Sequence, residues 1–376
     1  MKARANIVEN AMTTAYGSGL QACWRELLAG HSAVAEETRF AERDFISRLA
    51  ASAPRQTLDC RQNSRLKSIL APVLDRLRPR IPTDAAVLLA TTVGEIDLLE
   101  TEVLRDTADR TAGDPMRLLT WVRERVGLHG SACLVSAACA SSSLALARAA
   151  AMVESGQVEA VLAVGCDTVS EFTFAGFSAL QALSPNHARP FDRERDGLNL
   201  GEAAVATLVV SPQRARRESR QILGSILGYG IAGDANHMTG PARDGEGLRR
   251  ATLAALHMAE ASPEQIDLIC AHGTGTLYND AMELQAFRRI FGSDSPPLFS
   301  VKGGTGHTLG AAGLLEALVT AQALREKAIP PTVGLQETMP EAAGLVRLKA
   351  DELPRAECAI STNSGFGGIN CALVLG

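Results

Sequence analysis

Short apolar runs recur along the chain and alternate with longer stretches whose apolar positions repeat at helical spacing. "AAVLLATTV" (85–93), "ACLVSAA" (132–138), "AVLAVGC" (160–166) and "AAVATLVV" (203–210) fall in the first part. "IDLICAHG" (266–273), "LFSVKGG" (298–304), "ECAISTNSG" (357–365) and "NCALVLG" (370–376) fall in the second. Strands separated by helices predict an α/β architecture with largely parallel sheets. The charged stretch "SPQRARRESRQ" (211–221) divides the chain into halves of 1–211 and 212–376. Each half contains one copy of a common plan: a strand end, a corner of small residues, then an apolar helix. The copies are "VSAACASSSLALARAAAMV" (135–153) and "VKGGTGHTLGAAGLLEALVTAQAL" (301–324), each with one charge near mid-helix, Arg148 and Glu316. A helix apolar on nearly every face must be buried on nearly every face. Two such helices predict a central helical layer between two sheets, and so five layers in all. The piece "SRLKSILAPVLDRLRPRIP" (64–82) is expected as charged helix on the outside, interrupted at Pro72 and ended by Pro79 and Pro82.

Composition narrows the class. The 376 residues carry a net charge of −5, with 46% hydrophobic and 21% charged residues. That balance is globular and argues against a general binder of nucleic acid or membrane surfaces. No run reaches the ~18 apolar residues of a membrane span, and the N-terminus has no sustained apolar stretch of the signal-peptide kind. Eight cysteines, at 23, 60, 133, 139, 166, 270, 358 and 371, show no C-x-x-C spacing. They are expected as reduced thiols of a cytoplasmic protein, with neither a disulfide frame nor a metal site.

One of these thiols is placed differently from the others. Cys139 stands where a strand-like run meets the helix opened by Ser141, Ser142 and Ser143. A strand-to-helix corner lifts a side chain out of the sheet and presents backbone N–H groups, and a helix N-terminus favours thiolate. His272 follows a strand in "AHGTGT", with two hydroxyls behind it, and His307 lies in "VKGGTGHTLGAAG", five residues past Lys302. A lone histidine in the first setting is more often structural. Lysine and histidine in a glycine-rich corner before an apolar helix are hard to explain as packing. A phosphate-cradling loop would use similar residues, but the order G-x-x-x-x-G-K-[ST] is absent. "STNSGFGGIN" (361–370) reads either as a tight turn or as a loop that brings backbone N–H groups and Phe366 to a reaction centre.

Taken in order, "AACASSS", "AHGTGT", "VKGGTGH", "GFGGIN", "RPFDRERDGLNLGEAA" (189–204) and "GDANHMTGP" (233–241) resemble the elongating β-ketoacyl-acyl carrier protein synthases of the thiolase-like fold. The resemblance is strong from about residue 125 onward, moderate over 9–33 and poor between. It implies a five-layered αβαβα fold of two pseudo-repeated halves with mostly parallel mixed sheets. It further implies that Cys139 takes an acyl group from a carrier-protein phosphopantetheine thioester, no cofactor being permanently bound. The N–H groups of Cys139 and Phe366 would form the oxyanion hole. His272 and His307 would hold the malonyl thioester carbonyl, and Lys302, partnered by Glu283, would set the electrostatics around them. Thr274, Thr276 and Thr239 would bind the pantetheine arm, with Gly365 in the mobile loop and Asp234 and Glu283 as supports.

The chain also departs from the family pattern. Ser364 stands where relatives have phenylalanine, and is expected to widen or polarise the acyl pocket; Ala203 replaces a glycine of the usual "GEGA". The resemblance implies an acyl carrier protein as partner, expected to dock on Arg61 and Arg65, with Lys67 on another face of the same stretch. A homodimer, or a heterodimer with a related ketosynthase or chain-length factor, is expected through the edge strand at "ACLVSAA". The alternative function is a non-catalytic chain-length factor of the same fold; such partners usually lack the nucleophile that Cys139 supplies. A coenzyme A-dependent thiolase, which pairs its nucleophile with one histidine and a second cysteine, fits the two-histidine pattern less well.

Overall fold

The computed structural model describes residues 4–54, 64–104, 111 and 113–376. Ten strands form its main hydrogen-bonded path: β1 (Ala5–Thr14), β2 (Ala86–Ala90), β3 (Ala132–Val135), β4 (Ala160–Asp167), β5 (Ala203–Val210), β6 (Gly224–Gly233), β7 (Leu268–Cys270), β8 (Leu298–Phe299), β9 (Ala359–Gly365) and β10 (Ile369–Leu375). Their order is β8-β7-β9-β10-β6-β1-β5-β4-β2-β3, and the two-residue strand Gly17–Ser18 pairs off β1. Parallel pairing is confined to the two ends of this path, and the central pairings are antiparallel, so the sheet is mixed.

The flanking helices used below are α1 (Arg65–Leu77), α2 (Ser141–Glu154), α3 (Glu171–Ala179), α4 (Glu246–Ala259), α5 (Leu277–Phe291) and α6 (Ala312–Glu326). Alternation along β4 shows how they are layered. Val161 and Ala163 enter a core shared with Leu146 and Ala150 of α2 and Leu314 and Leu318 of α6. Leu162 and Val164 point the other way, to Ile69, Leu70 and Val73 of α1. On the far side Ile360, Ala372 and Val374 meet α4 and α5 through Leu248, Ala251 and Phe287. A strand covered on both faces has no polar side, which is why these runs read as unbroken hydrophobicity rather than alternation. The layers are therefore helices, sheet, the α2–α6 pair, sheet, helices.

The α2–α6 contact depends on small residues. A Cβ at Gly313 would lie 2.7 Å from the backbone nitrogen of Ser143, so only glycine lets the helices approach this closely. Their two charges differ in setting: Arg148 reaches solvent, whereas Glu316 is fully buried.

Three expectations need correction. Helix α1 runs through Pro72 instead of breaking there; the missing N–H forgoes one bond, and burial of Leu66, Ile69, Leu70, Val73 and Leu74 outweighs it. The same residues make α1 an outer-layer helix with a deeply buried face, not a charged surface segment. Finally, the strands at the centre of the path, β1 and β6, carry none of the expected signals. β6 is "GSILGYGIAG", and a Cβ at Gly228 or Gly230 would meet the carbonyl oxygens of Ala255 and Ala251 at 2.3 and 2.0 Å. Those glycines lower strand propensity so that α4 can lie directly on the backbone. The helix Pro212–Arg217 is tied to the first half, by Arg214 to Asp84 at 2.8 Å and Arg217 to Glu159 at 2.7 Å, and the chain crosses to the second half with β6.

Candidate active site

The turn that opens α2 is built to expose one side chain. Ser141 Oγ accepts from the Ala137 N–H and donates to the Ala138 carbonyl, and Ala138 holds a φ of 48°, a left-handed conformation that costs a non-glycine residue. Cys139 is the next residue, 5% exposed, and its thiol lines a cavity. Gly365 allows the second loop to close on it, since a Cβ there would stand 2.8 Å from the Ala137 carbonyl. The Phe366 N–H thereby points at the thiol, and the Phe366 ring stacks on Phe177 of α3 at 5.6 Å. Burial pushes the thiol up to about 11, against the lowering pull of the Lys302 charge and the Phe366 N–H. Burial thus outweighs the helix terminus that was expected to favour thiolate, and the resting group is a thiol.

His272 and His307 share the cavity, with ring centroids 5.2 Å apart at 84°, and their ring nitrogens and the Cys139 sulfur lie within 4.8 Å of one another. The partners behind each ring fix its tautomer. His307 Nδ1 accepts from the Leu309 N–H at 3.0 Å, in a turn where Leu309 has a φ of 52°. His272 Nδ1 faces Lys302 Nζ at 3.1 Å and Asn363 Nδ2 at 3.2 Å, and both of those are donors. A nitrogen that accepts carries no proton, so each ring holds its proton on Nε2 and each Nε2–H is a donor. Burial, and then the charge on Lys302, hold both imidazoles well below the usual histidine range, so they are neutral.

Lys302 is 1% exposed and pairs with Glu316, donating also to the His272 carbonyl. Glu283, the expected partner of Lys302, has other work: its carboxylate accepts from the His272 N–H at 2.7 Å and the Gly273 N–H at 2.6 Å, with Asn279 and Thr362 as further donors. It shapes the backbone that carries His272, and burial raises its own pKa to about 7. Thr274, Thr276 and Thr239 line the same cavity, with the Thr274 and Thr276 hydroxyls 2.9 Å apart. Ser364 also lines it and donates to Asn370 Oδ1 at 2.7 Å; Asn370 in turn donates to Asp234 Oδ1 at 2.6 Å, linking Ser364 to the loop bearing Thr239.

The docking expectation is not met in the described residues. Arg65 is turned inward onto the buried carboxylate of Glu202, and Lys67 pairs with the buried Glu95 at 2.9 Å, so neither presents a free charge. Arg61 lies outside the described residues. Three site residues were not anticipated in these roles. Glu316 could have been found, because a carboxylate in a helix buried all round requires a buried cation. Asp167, which ends the apolar run of β4, accepts from Thr91, Thr92 and the Gly310 N–H at 2.7 Å, bracing the turn after His307. Asn363 donates to His272 Nδ1 and to Glu316 Oε2 at 2.7 Å and accepts from Ser143 of α2, a role that no spacing reveals.

Because the thiol is protonated at rest, alkylation of Cys139 by iodoacetamide is expected to rise about tenfold per pH unit, with no plateau below about pH 10. Lys302→Met removes the charge that lowers the thiol's pKa and slows alkylation further at every pH in that range. A plateau near pH 7 in the parent protein would contradict this electrostatic picture.

The geometry can be compared with known proteins. The models of the β-ketoacyl synthase N-terminal and C-terminal domains match residues 82–215 and 223–336. The 3-oxoacyl-[acyl-carrier-protein] synthase 2 of Vibrio harveyi is 30% identical over 415 aligned positions, covering 99% of this chain and 98% of the relative. The chain belongs to the β-ketoacyl synthase family. Members of this family are acyltransferase-type condensing enzymes. Among solved β-ketoacyl synthase relatives, the ishigamide ketosynthase/chain length factor matches with a TM-score of 0.89 and 30% identity, over 100% of this chain and 99% of that one. A ketosynthase in complex with its chain length factor from Xenorhabdus doucetiae matches with a TM-score of 0.84 and 26% identity, over 99% and 97%. These neighbours share the thiolase-like fold. No helix among the described residues is long and apolar enough to cross a membrane.

Proposed function

We propose that the protein joins an acyl group held on Cys139 to malonyl-acyl carrier protein, with loss of carbon dioxide, to give a 3-oxoacyl-acyl carrier protein. The observation that carries this reading is the pair of imidazoles locked as Nε2–H donors beside a buried thiol and the Phe366 N–H. Cys139 attacks the thioester carbon of an acyl-phosphopantetheine arm, and the new C–S bond forms as the carbonyl π pair moves onto oxygen. When that oxyanion collapses the old C–S bond breaks, and the thiol proton leaves on the pantetheine sulfur. No side chain need act as base, which suits two histidines whose Nε2 atoms already carry protons. The N–H groups of Cys139 and Phe366 hold the oxygen of the tetrahedral intermediate.

Malonyl thioester then places its carbonyl oxygen between the two Nε2–H groups. Carbon dioxide leaves, the enolate charge builds on that oxygen, and the enolate carbon attacks the acyl-Cys139 carbon. The Cys139 sulfur departs and takes a proton from solvent. Neutral donors suit this role: an imidazolium would bind the malonyl carboxylate and favour the ground state, whereas an aimed neutral N–H strengthens as the enolate forms. Thr239, Thr274 and Thr276 line the cavity, and their hydroxyls would hold the arm.

The phosphopantetheine comes with the carrier protein and is substrate, not resident cofactor. The pathway is fatty-acid or polyketide assembly, a choice set by partners, and the location the reading implies is the cytoplasm, where thiols stay reduced. The partner subunit is a second copy or a related chain-length factor, and the similarity to ketosynthases found with such factors supports this reading. The edge strand β3 would receive it: it pairs on one side only among the described residues, and Cys133 on it is exposed.

The direct test is intact mass after incubation with an acyl-carrier protein, then with the malonyl form. A single acyl adduct on Cys139, discharged on addition of malonyl-carrier protein as 3-oxoacyl product appears, is the expected result. Absence of any adduct with saturated and polyunsaturated acyl carriers, with or without a chain-length factor, would leave the non-catalytic reading in its place.

A further inference from the structure

Cys139, His272 and His307 hold one sulfur and imidazole nitrogens within 4.8 Å of one another, and all three residues are buried. By residue type and spacing this is a zinc-binding set, since thiolate and imidazole are the ligands zinc prefers and catalytic zinc sites keep three protein ligands and one open position. The hydrogen bonds behind the rings point the other way, and we propose that they exclude divalent metals from this cluster. The inference concerns the donor geometry alone and does not rest on the reaction proposed above.

A metal binds the lone pair of a deprotonated ring nitrogen. In zinc sites the other ring nitrogen is protonated and donates to a carboxylate, a carbonyl or water. Here both rings are arranged in reverse. His307 Nδ1 is met by the N–H of Leu309, held by a main-chain turn that Asp167 braces through Gly310. Putting the proton on Nδ1, as metal binding at Nε2 requires, would set two N–H groups against each other. His272 Nδ1 is met by an ammonium and an amide NH₂. Neither can turn away: Lys302 also donates to Glu316 and to the His272 carbonyl, using all three protons, and Asn363 spends its other proton on Glu316. The carboxylate that could have accepted from His272 is one residue removed, on the far side of Lys302 and Asn363. Lys302 also adds a positive charge within reach of any cation in the cavity. The same donors that aim two N–H groups at a substrate oxygen therefore take away the lone pairs a metal needs.

The prediction can be read on the whole protein with zinc ion as the only probe. Equimolar Zn²⁺ at micromolar concentration is expected to change the rate of Cys139 alkylation less than about twofold, because a zinc-bound thiolate is protected and an unbound thiol is not. In a Lys302→Met, Asn363→Asp variant the partner behind His272 becomes an acceptor. That frees one ring only, because the Leu309 N–H still holds His307 Nδ1. Millimolar Zn²⁺, bound through Cys139 and His272, should therefore slow alkylation at least about tenfold, where the unaltered protein at the same concentration changes less than about twofold. Co²⁺ should give a sulfur-to-metal absorption band that Cys139→Ala removes. If the double variant does not fold, Asn363→Asp alone is read in the same way. Zinc protection of Cys139 in the unaltered protein would overturn the proposal. So would a folded variant that still ignores zinc, since exclusion would then have another cause.

Discussion

Replacing Cys139 by alanine abolishes acyl transfer and condensation together, with a loss of more than about 10⁴-fold in turnover, the scale seen when a covalent nucleophile is removed. The other described cysteines lie outside the cavity that contains His272 and His307, so none can take over. The substitution is also a mild one for the fold. Removing a single sulfur from a site that opens onto a cavity costs little packing, so the melting temperature should stay close to that of the parent. Turnover by a clean variant, with the fold intact, would end the assignment of Cys139 as nucleophile.

His272→Ala and His307→Ala should divide the reaction into its two parts. Each removes one of two donors to the enolate oxygen, for an expected loss of about 10²–10³-fold in malonyl decarboxylation. Acyl transfer to Cys139 uses the N–H groups of Cys139 and Phe366 instead, so an acyl adduct should still form in at least one of the two variants. His307→Ala is the cleaner of the pair, because among the described residues its ring is hydrogen-bonded to the Leu309 N–H alone, whereas His272 also organises Lys302, Asn363 and Glu316. Carbon dioxide release from malonyl-carrier protein, followed beside the mass of the acyl-enzyme, separates the two steps. Unchanged decarboxylation in both variants would remove the enolate role from the histidines.

The residues that the proposed reaction puts at its centre were legible, while those that hold them in place mostly were not. Cys139, His272, His307 and Lys302 stand at strand ends or helix starts in runs of small residues, and that local setting is visible in one dimension. Asn363 is an unremarkable polar residue in a strand, and only the folded chain shows that it ties His272, Glu316 and Ser143 together. The pairing of Lys302 was misjudged for a related reason. Glu283 and Glu316 are both buried carboxylates near the lysine, and which one it meets depends on how α6 packs under the site. In the fold, the doubly covered strands announced themselves by unbroken apolar runs. The central strands did not, because β6 is interrupted by glycines that let α4 approach, and β1 places Asn6, Glu9 and Asn10 among its apolar residues. Arg65 and Lys67 looked like surface charge because helical spacing reveals which residues share a face, and not which way that face turns.

The position of β1 has a consequence for how the protein comes to be made. Its principal hydrogen-bonding neighbours, residues 203–210 on one side and 224–226 on the other, are made long after it. Through synthesis of half the chain, the strand at the centre of the finished sheet has neither partner. Closing so long a loop is slow, and a ten-residue strand whose early neighbour is Gly17–Ser18, at its last two residues, is an invitation to pair with another nascent chain. Glu9 sits in mid-strand and, in the finished fold, lies 3.5 Å from Arg80 and 3.8 Å from Arg220. A carboxylate at the middle of a waiting strand opposes stacking with its own kind until those arginines have been made.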